Sequence, residues 1–260
     1  MLLAMDVGNT QTVIGVYERT ELQQHWRLHS EATRTADEWA LMMQGLLAQV
    51  GLSFGRNITG VVISSVVPRA TQALREMTER YFHFAPVIVG PGTRTGMPLL
   101  IDNPKEVGAD RVVNAIAAFE RHGGPCIVVD FGTSTNFDAV SAKGEYLGGA
   151  IAPGVEISVN ALVSAGAQLR RVEFVPPRSV IGKGTIEAIQ SGVLYGFAGQ
   201  VDGIVERMIK ELGGDVTTIA TGGLAPVIIP HCQTIAHHEP WLTLEGLLMI
   251  YERNTGEPDD

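Results

Sequence analysis

The order of apolar and polar positions along the chain predicts an α/β protein whose pattern is laid down twice. Leu2 to Met5 is a short apolar run ending at Asp6, and Thr12 to Tyr17 and Leu22 to Leu28 alternate as two further strands of an antiparallel meander. Asp37 is a candidate N-cap for a helix to Val50, and in it Trp39, Met42, Met43 and Leu46 recur at helical spacing as a core stripe. Ile58 to Val67 is almost continuously apolar and β-branched, the pattern of a strand covered on both faces. Pro68 suits a first helical turn, so Arg69 to Tyr81 reads as the next helix. Asn103-Pro104-Lys105-Glu106 carries an N-cap, a proline and an acid in the order of a helix start, predicting a helix to His122.

After Gly123-Gly124-Pro125 the pattern begins again. Strands are predicted over Cys126 to Val129, Asn136 to Ser141 and Tyr146 to Ala152. Helices follow over 155–164 and 185–212, then a strand over 216–220, a Gly222-Gly223 turn and a helix over 243–253. Asp6-Val7-Gly8-Asn9-Thr10 and Asp130-Phe131-Gly132-Thr133-Ser134 hold the same place in the two halves: strand, aspartate, glycine turn, second strand. A repeat on this scale implies two lobes related by internal duplication, here 1–113 and 114–253, with 254–260 as a disordered tail. The two turns are then expected to face each other across a cleft.

Composition narrows the partners. The formal net charge is −9, with four lysines among nineteen basic residues, which disfavours nucleic acid or an anionic membrane as the main partner. Neither a basic leader nor an apolar run long enough for a membrane span is present, and two cysteines without metal-ligand spacing fit a reducing cytoplasm. Cys126 falls in an apolar strand and is expected to be a buried free thiol.

Three motifs are decoys. Gly51-Leu52-Ser53-Phe54-Gly55 has the letters of a nucleophile elbow, but a helix precedes it and a strand follows, the reverse of what that turn needs. His231-Cys232 and His237-His238 lack the spacing of a metal site and read as surface loops. The P-loop and dinucleotide glycine patterns are both absent.

The aspartate-glycine turns suit phosphate chemistry. Glycine lets the backbone approach a ligand, adjacent amides and hydroxyls donate to phosphate oxygens, and a strand-end carboxylate can hold a hydrated divalent cation. The turns resemble the phosphate-binding loops of the acetate and sugar kinase, heat-shock chaperone and actin superfamily. Further segments narrow the resemblance to type III pantothenate kinases over nearly the whole chain: Ser65-Val66-Val67-Pro68, Asp102-Asn103-Pro104, Gly108-Ala109-Asp110-Arg111, Gly148-Gly149-Ala150-Ile151-Ala152-Pro153-Gly154, Gln190-Ser191-Gly192, Thr221-Gly222-Gly223-Leu224 and Leu242-Thr243-Leu244-Glu245-Gly246-Leu247.

That resemblance implies tandem ribonuclease H-like lobes of the actin-like ATPase architecture, transfer of a phosphoryl group from ATP to pantothenate, and a cytoplasmic homodimer. It assigns Asp6, Val7, Gly8, Asn9, Thr10, Gln11, Thr12 and Val13 to ATP, with Asp6 near the accompanying magnesium, and adds Thr133. Gly108, Ala109, Asp110, Arg111 and Thr185 are assigned to pantothenate, with Asp110 as the base. Asp130 would hold a monovalent cation, potassium or ammonium. Gly184 and Ile101 depart from the family pattern, which commonly has asparagine and an aromatic residue there. Read without the resemblance, Asp110 shares a helical stripe with Asn114 and Arg121 and would be part of a solvated face. Arg170 and Arg171 are candidates, by charge alone, for the substrate carboxylate. For the long helix, Gly192, Gly196 and Gly199 leave two readings open: tight packing within its own lobe, or the approach of a second copy. Among other functions, a sugar or acetate kinase and a non-catalytic ATP-binding regulator share the same fold.

Overall fold

A computed structural model describes residues 1–165 and 172–256. The chain divides into two compact units, one of Met1–Gly96, Asn103–Ala117 and Thr243–Asp260, the other of Met97–Asp102 and Ala118–Leu242. The first unit therefore recruits the last helix, placed by sequence periodicity in the second lobe.

In the first unit, β1 (Leu2–Val7), β2 (Gln11–Glu18) and β3 (Glu21–His29) form the expected meander. After α1 (Ala36–Gln49) and the single turn α2 (Phe54–Asn57), β4 (Gly60–Ser65) pairs parallel with β1. Beyond α3 (Pro68–Met77) comes β5 (Val87–Ile88), and the sheet order is β3-β2-β1-β4-β5. Leu3, Met5, Val7, Ile14, Val61 and Ile63 meet Trp39, Met43, Leu47, Leu74 and Met77 of α1 and α3 in one core. Thr35, not Asp37, caps α1: its hydroxyl accepts from the Glu38 amide while the Glu38 carboxylate accepts from the Thr35 amide. The capping box outcompetes the aspartate because it satisfies two end donors at once.

The predicted helix from Asn103 is broken. Asn103 does cap, accepting from the Lys105 amide, but the turn it opens is a 3-10 piece, Pro104–Glu106, and Val107 returns to extended backbone. The true helix, α4, spans Ala109–His122.

In the second unit, β6 (Cys126–Phe131), β7 (Ser134–Val140) and β8 (Tyr146–Pro153) form the meander. The helices α5 (Val155–Ala165) and α6 (Thr185–Leu212) follow, then β9 (Thr217–Thr221), the short α7 (Ala225–Ile228) and β10 (His237–His238). The order β10-β9-β6-β7-β8 repeats the first unit's order strand for strand when read from β8. Ile127, Val129, Phe131, Phe137, Leu194, Ala198, Val201 and Val205 fill its core. Cys126 is buried, and burial pushes its thiol up to about 12, so it stays protonated at neutral pH. His237 and His238 are not a loop but a two-residue edge strand parallel to β9, too short to leave a period in the sequence.

The last helix, α8, runs over Leu242–Thr255, so Asn254 and Thr255, expected in the disordered tail, are helical. The rest of that tail, 257–260, lies outside the described residues, as do Arg170 and Arg171. No helix among the described residues is long and apolar enough to cross a membrane.

Candidate active site

β1 and β6 have the same length and the same burial profile, and in both the single half-buried position is the aspartate, Asp6 or Asp130. Asp6 stands between Val13 of β2 and Ser64 of β4, and Asp130 stands between Asn136 of β7 and Thr221 of β9. Each carboxylate thus sits at the C-terminal end of a central strand, beside a tight hairpin.

In the first unit the hairpin loop is Gly8-Asn9-Thr10. The Gly8 amide donates to the Gln11 carbonyl at 3.0 Å, and the Ser30 amide donates to the Thr10 carbonyl at 2.9 Å. Asn9 and Gln11 are exposed; Gln11 accepts from the Arg27 guanidinium at 3.3 Å. Thr12 is fully buried, and its hydroxyl pairs with that of Ser30 at 2.8 Å. Its side chain therefore fastens the hairpin to the chain after β3.

Gly108-Ala109-Asp110-Arg111 forms the entry to α4. The Asp110 Oδ1 accepts from the Arg111 amide at 2.9 Å and lies so close over Gly108 that a Cβ there would collide with it. A side chain at this position would displace the Asp110 carboxylate. Burial raises the Asp110 carboxyl above the ordinary aspartate range, against the opposing pull of the Arg111 amide and the Arg111 charge. The solvated-face reading of this stripe fails: Asn114, one turn on, is buried and accepts from the Thr243 hydroxyl at 2.7 Å.

Val66 joins these two elements. Its amide donates to the Val7 carbonyl at 3.1 Å, and its Cγ1 lies beside Gly108, 3.6 Å from where a Cβ would stand. The phosphate-type hairpin and the Asp110 motif are thus neighbours within one unit. Nothing in the hydrophobic run over 58–67 distinguishes Val66 in advance.

In the second unit, Asp130 and the exposed Thr133 belong to one hairpin, in which the Gly132 amide donates to the Ser134 carbonyl at 3.0 Å. Two glycines outside the assigned set close around it. Gly154 lets the backbone approach the Thr133 carbonyl. Gly222, at φ +97°, would carry a Cβ 2.5 Å from Asp130 Oδ1. The glycine pair 222–223 read as a plain turn; its approach to a carboxylate is a fact of tertiary structure. Thr185, at the start of α6, is exposed and lines a groove of about 400 Å³ between α5 and α6 with Ser158, Leu162, Ala188 and Phe197.

Comparison with known proteins agrees with this arrangement. A family model described as type III pantothenate kinase matches residues 2–207. The type III pantothenate kinase of Streptomyces griseus is 58% identical over 98% of both chains, and that of Thermobifida fusca is 57% identical over 98% of this chain and all of the other. Among solved structures, component A of the (R)-2-hydroxyglutaryl-CoA dehydratase of Acidaminococcus fermentans is 14% identical over 97% and 96% of the chains, with a TM-score of 0.58. The activator of the 2-hydroxyisocaproyl-CoA dehydratase of Clostridium difficile, with bound ADPNP, is 13% identical over 97% and 93%, at 0.56. These distant structures share the fold, while the Streptomyces griseus and Thermobifida fusca relatives match nearly the whole chain in sequence. The chain belongs to the type III pantothenate kinase family.

Proposed function

We propose that this chain transfers the γ-phosphoryl group of ATP to the primary hydroxyl of pantothenate, giving 4'-phosphopantothenate, the first step toward coenzyme A. The observation that carries the reading is Asp110, a carboxylate whose basicity is raised by burial, lying against Gly108 beside Val66 at the entry to α4. Phosphoryl transfer asks little covalent chemistry of a protein; positioning and charge neutralisation do most of it. Asp110 takes the proton of the attacking hydroxyl, and Gly108, Ala109 and Arg111 form the wall against which the substrate is set. Raised basicity favours that proton transfer as long as the carboxyl is ionised at neutral pH.

Asp6 to Val13 are assigned to the triphosphate, with Thr133 as a further contact. The half-buried Asp6 carboxylate at a strand end fits magnesium, an ion that binds through one or two carboxylates, phosphates and water. That ion, when bound, neutralises charge on the phosphate oxygens. Asp130, enclosed by Gly222, fits a compact oxygen-lined site for potassium or ammonium. Thr185 and its groove are assigned to the pantothenate side.

The active form is read as a homodimer formed by the second unit, in the cytoplasm. Gly192, Gly196 and Gly199 are exposed, with open space where a Cβ would point, so packing within the chain does not account for them. On β8, α5 and α6, Ile151, Ile157, Leu162, Ile186 and Tyr195 are exposed, an apolar surface suited to a second copy. Light scattering at micromolar concentration should give twice the mass of one chain; a fully active monomer would remove this element.

A coupled assay with ATP, magnesium and potassium tests the activity itself. Pantothenate should be phosphorylated and acetate and a panel of sugars should not. Turnover of a sugar in preference to pantothenate, or ATP binding with no turnover of any acceptor, would overturn the reading.

A further inference from the structure

The last helix touches the first unit at both ends of the segment that carries Gly108 to Arg111. Near its start, the Thr243 hydroxyl donates to Asn114 Oδ1 at 2.7 Å, and Gly246 lets α8 pass directly against the Val113 backbone. Val113 and Asn114 lie one helical turn beyond Asp110. Near its other end, Asn254 makes a reciprocal pair with the loop after β5. Its Oδ1 accepts from the Arg94 amide and its Nδ2 donates to the Arg94 carbonyl, both at 3.0 Å, while the same Nδ2 donates to Ile250 at 2.7 Å. Beside it the Arg253 guanidinium donates to the Thr95 carbonyl and lies over Gly96, which has φ +72° and where a Cβ would stand 2.9 Å from Arg253 Nη1. The helix between these ends is pinned to β4, because the Tyr251 ring covers Gly60 so closely that no side chain fits there.

We propose that Asn254, supported by Arg253, is a positioning residue for the acceptor substrate, through the loop whose backbone it clasps. The stretch from Arg94 to Gly108 is mostly irregular, with a single bridge from Leu99 to Tyr146 and one 3-10 turn before α4. Such a segment holds a substrate motif to sub-ångström tolerance only if both ends are fixed. α8 fixes both: its first turns hold α4 just past Asp110, and Asn254 holds the chain where it leaves β5. The amide clasp imitates a pair of strand hydrogen bonds without a strand, so it fixes backbone that repetitive structure does not reach. Asn254 is far along the chain from the motif it serves and touches no substrate.

This inference rests on the assignment of Gly108 to Arg111 to pantothenate. Its test is steady-state kinetics of Asn254→Ala and Asn254→Asp, together with hydrogen exchange at the Arg94 amide. Asn254→Ala should raise KM for pantothenate about 10-fold while kcat and KM for ATP stay within about 2-fold, because positioning of one substrate is lost and the chemistry is not. Asn254→Asp keeps the acceptor for the Arg94 amide and loses both donations, so it should fall between wild type and alanine. Exchange at Arg94 should quicken in the alanine variant and change little in the aspartate variant. An unchanged KM for pantothenate in Asn254→Ala, or equal changes in both KM values and kcat, would overturn the proposal while leaving the kinase reading intact. Absence of pantothenate turnover in the wild-type protein would overturn both.

Discussion

The two aspartate-glycine hairpins occupy the same place in two sheets of the same order, yet they are finished differently. In the first unit the loop has three residues, Gly8-Asn9-Thr10, and the next parallel strand runs on through Ser65 to Val66, whose amide bonds Val7. In the second unit the loop has two residues, Gly132-Thr133, and the next parallel strand turns at once into Gly222, which closes on Asp130. The longer loop exposes Asn9 beside Asp6, which suits the triphosphate proposed there. The shorter, glycine-sealed one closes on Asp130, which suits the small cation proposed there. One loop residue and one glycine separate the two hairpins, and with them the two roles proposed.

Four outcomes would break or sharpen this contrast. Asp6→Ala should lower turnover by about 10³ at saturating pantothenate, since charge neutralisation at the phosphates is a large part of the rate. Asp130→Ala should act more narrowly. Wild-type activity should rise with potassium or ammonium over sodium at constant ionic strength, and Asp130→Ala should flatten that response, with a loss of about 10-fold in potassium. Equal effects of the two substitutions in both salts would abolish the distinction between the hairpins.

Gly222→Val adds strain at φ +97° and a side chain against Asp130. It should cost about 1–3 kcal/mol in stability and remove the potassium response together. Val66→Ala, one residue past the first unit's counterpart of Gly222, should leave the potassium response untouched. Smallest is Thr35→Ala, which removes the cap of α1 and should cost about 1 kcal/mol, with faster amide exchange in the first unit's helices and not in the second unit.

The sequence reads well where a feature is local and repeated. The meanders, α6 at its full length and both aspartate turns follow from periodicity and punctuation, because each is written within a few residues. It reads poorly where a local signal is satisfied by something smaller or by something distant. The Asn103-Pro104 start signal is spent on a single 3-10 turn, so α4 begins five residues late. β5 and β10 are two residues each, below any period. Gly222, Val66 and Asn254 owe their roles to partners distant along the chain, and a polar residue near a chain end looks like a tail until those partners are known.

Asp110 also links activity to stability in a way that can be checked by sign. Its folded-state pKa is raised by burial, so ionisation destabilises the fold: stability is full below the ordinary aspartate pKa and declines as pH rises to the folded value. Asp110→Asn should therefore have a higher Tm than wild type at pH 7 and no advantage near pH 3. The wild-type rate, which needs the ionised base, should fall on the acid side at a pH above the usual aspartate range.

Turnover of Asp110→Asn with ATP and pantothenate both saturating is the most direct test of the account. The variant keeps the volume and can still accept from the Arg111 amide, but it cannot take the hydroxyl proton. The account predicts a fall in kcat of about 10²–10⁴ with ATP affinity and the fold retained. Near-normal turnover would contradict it and move the base elsewhere.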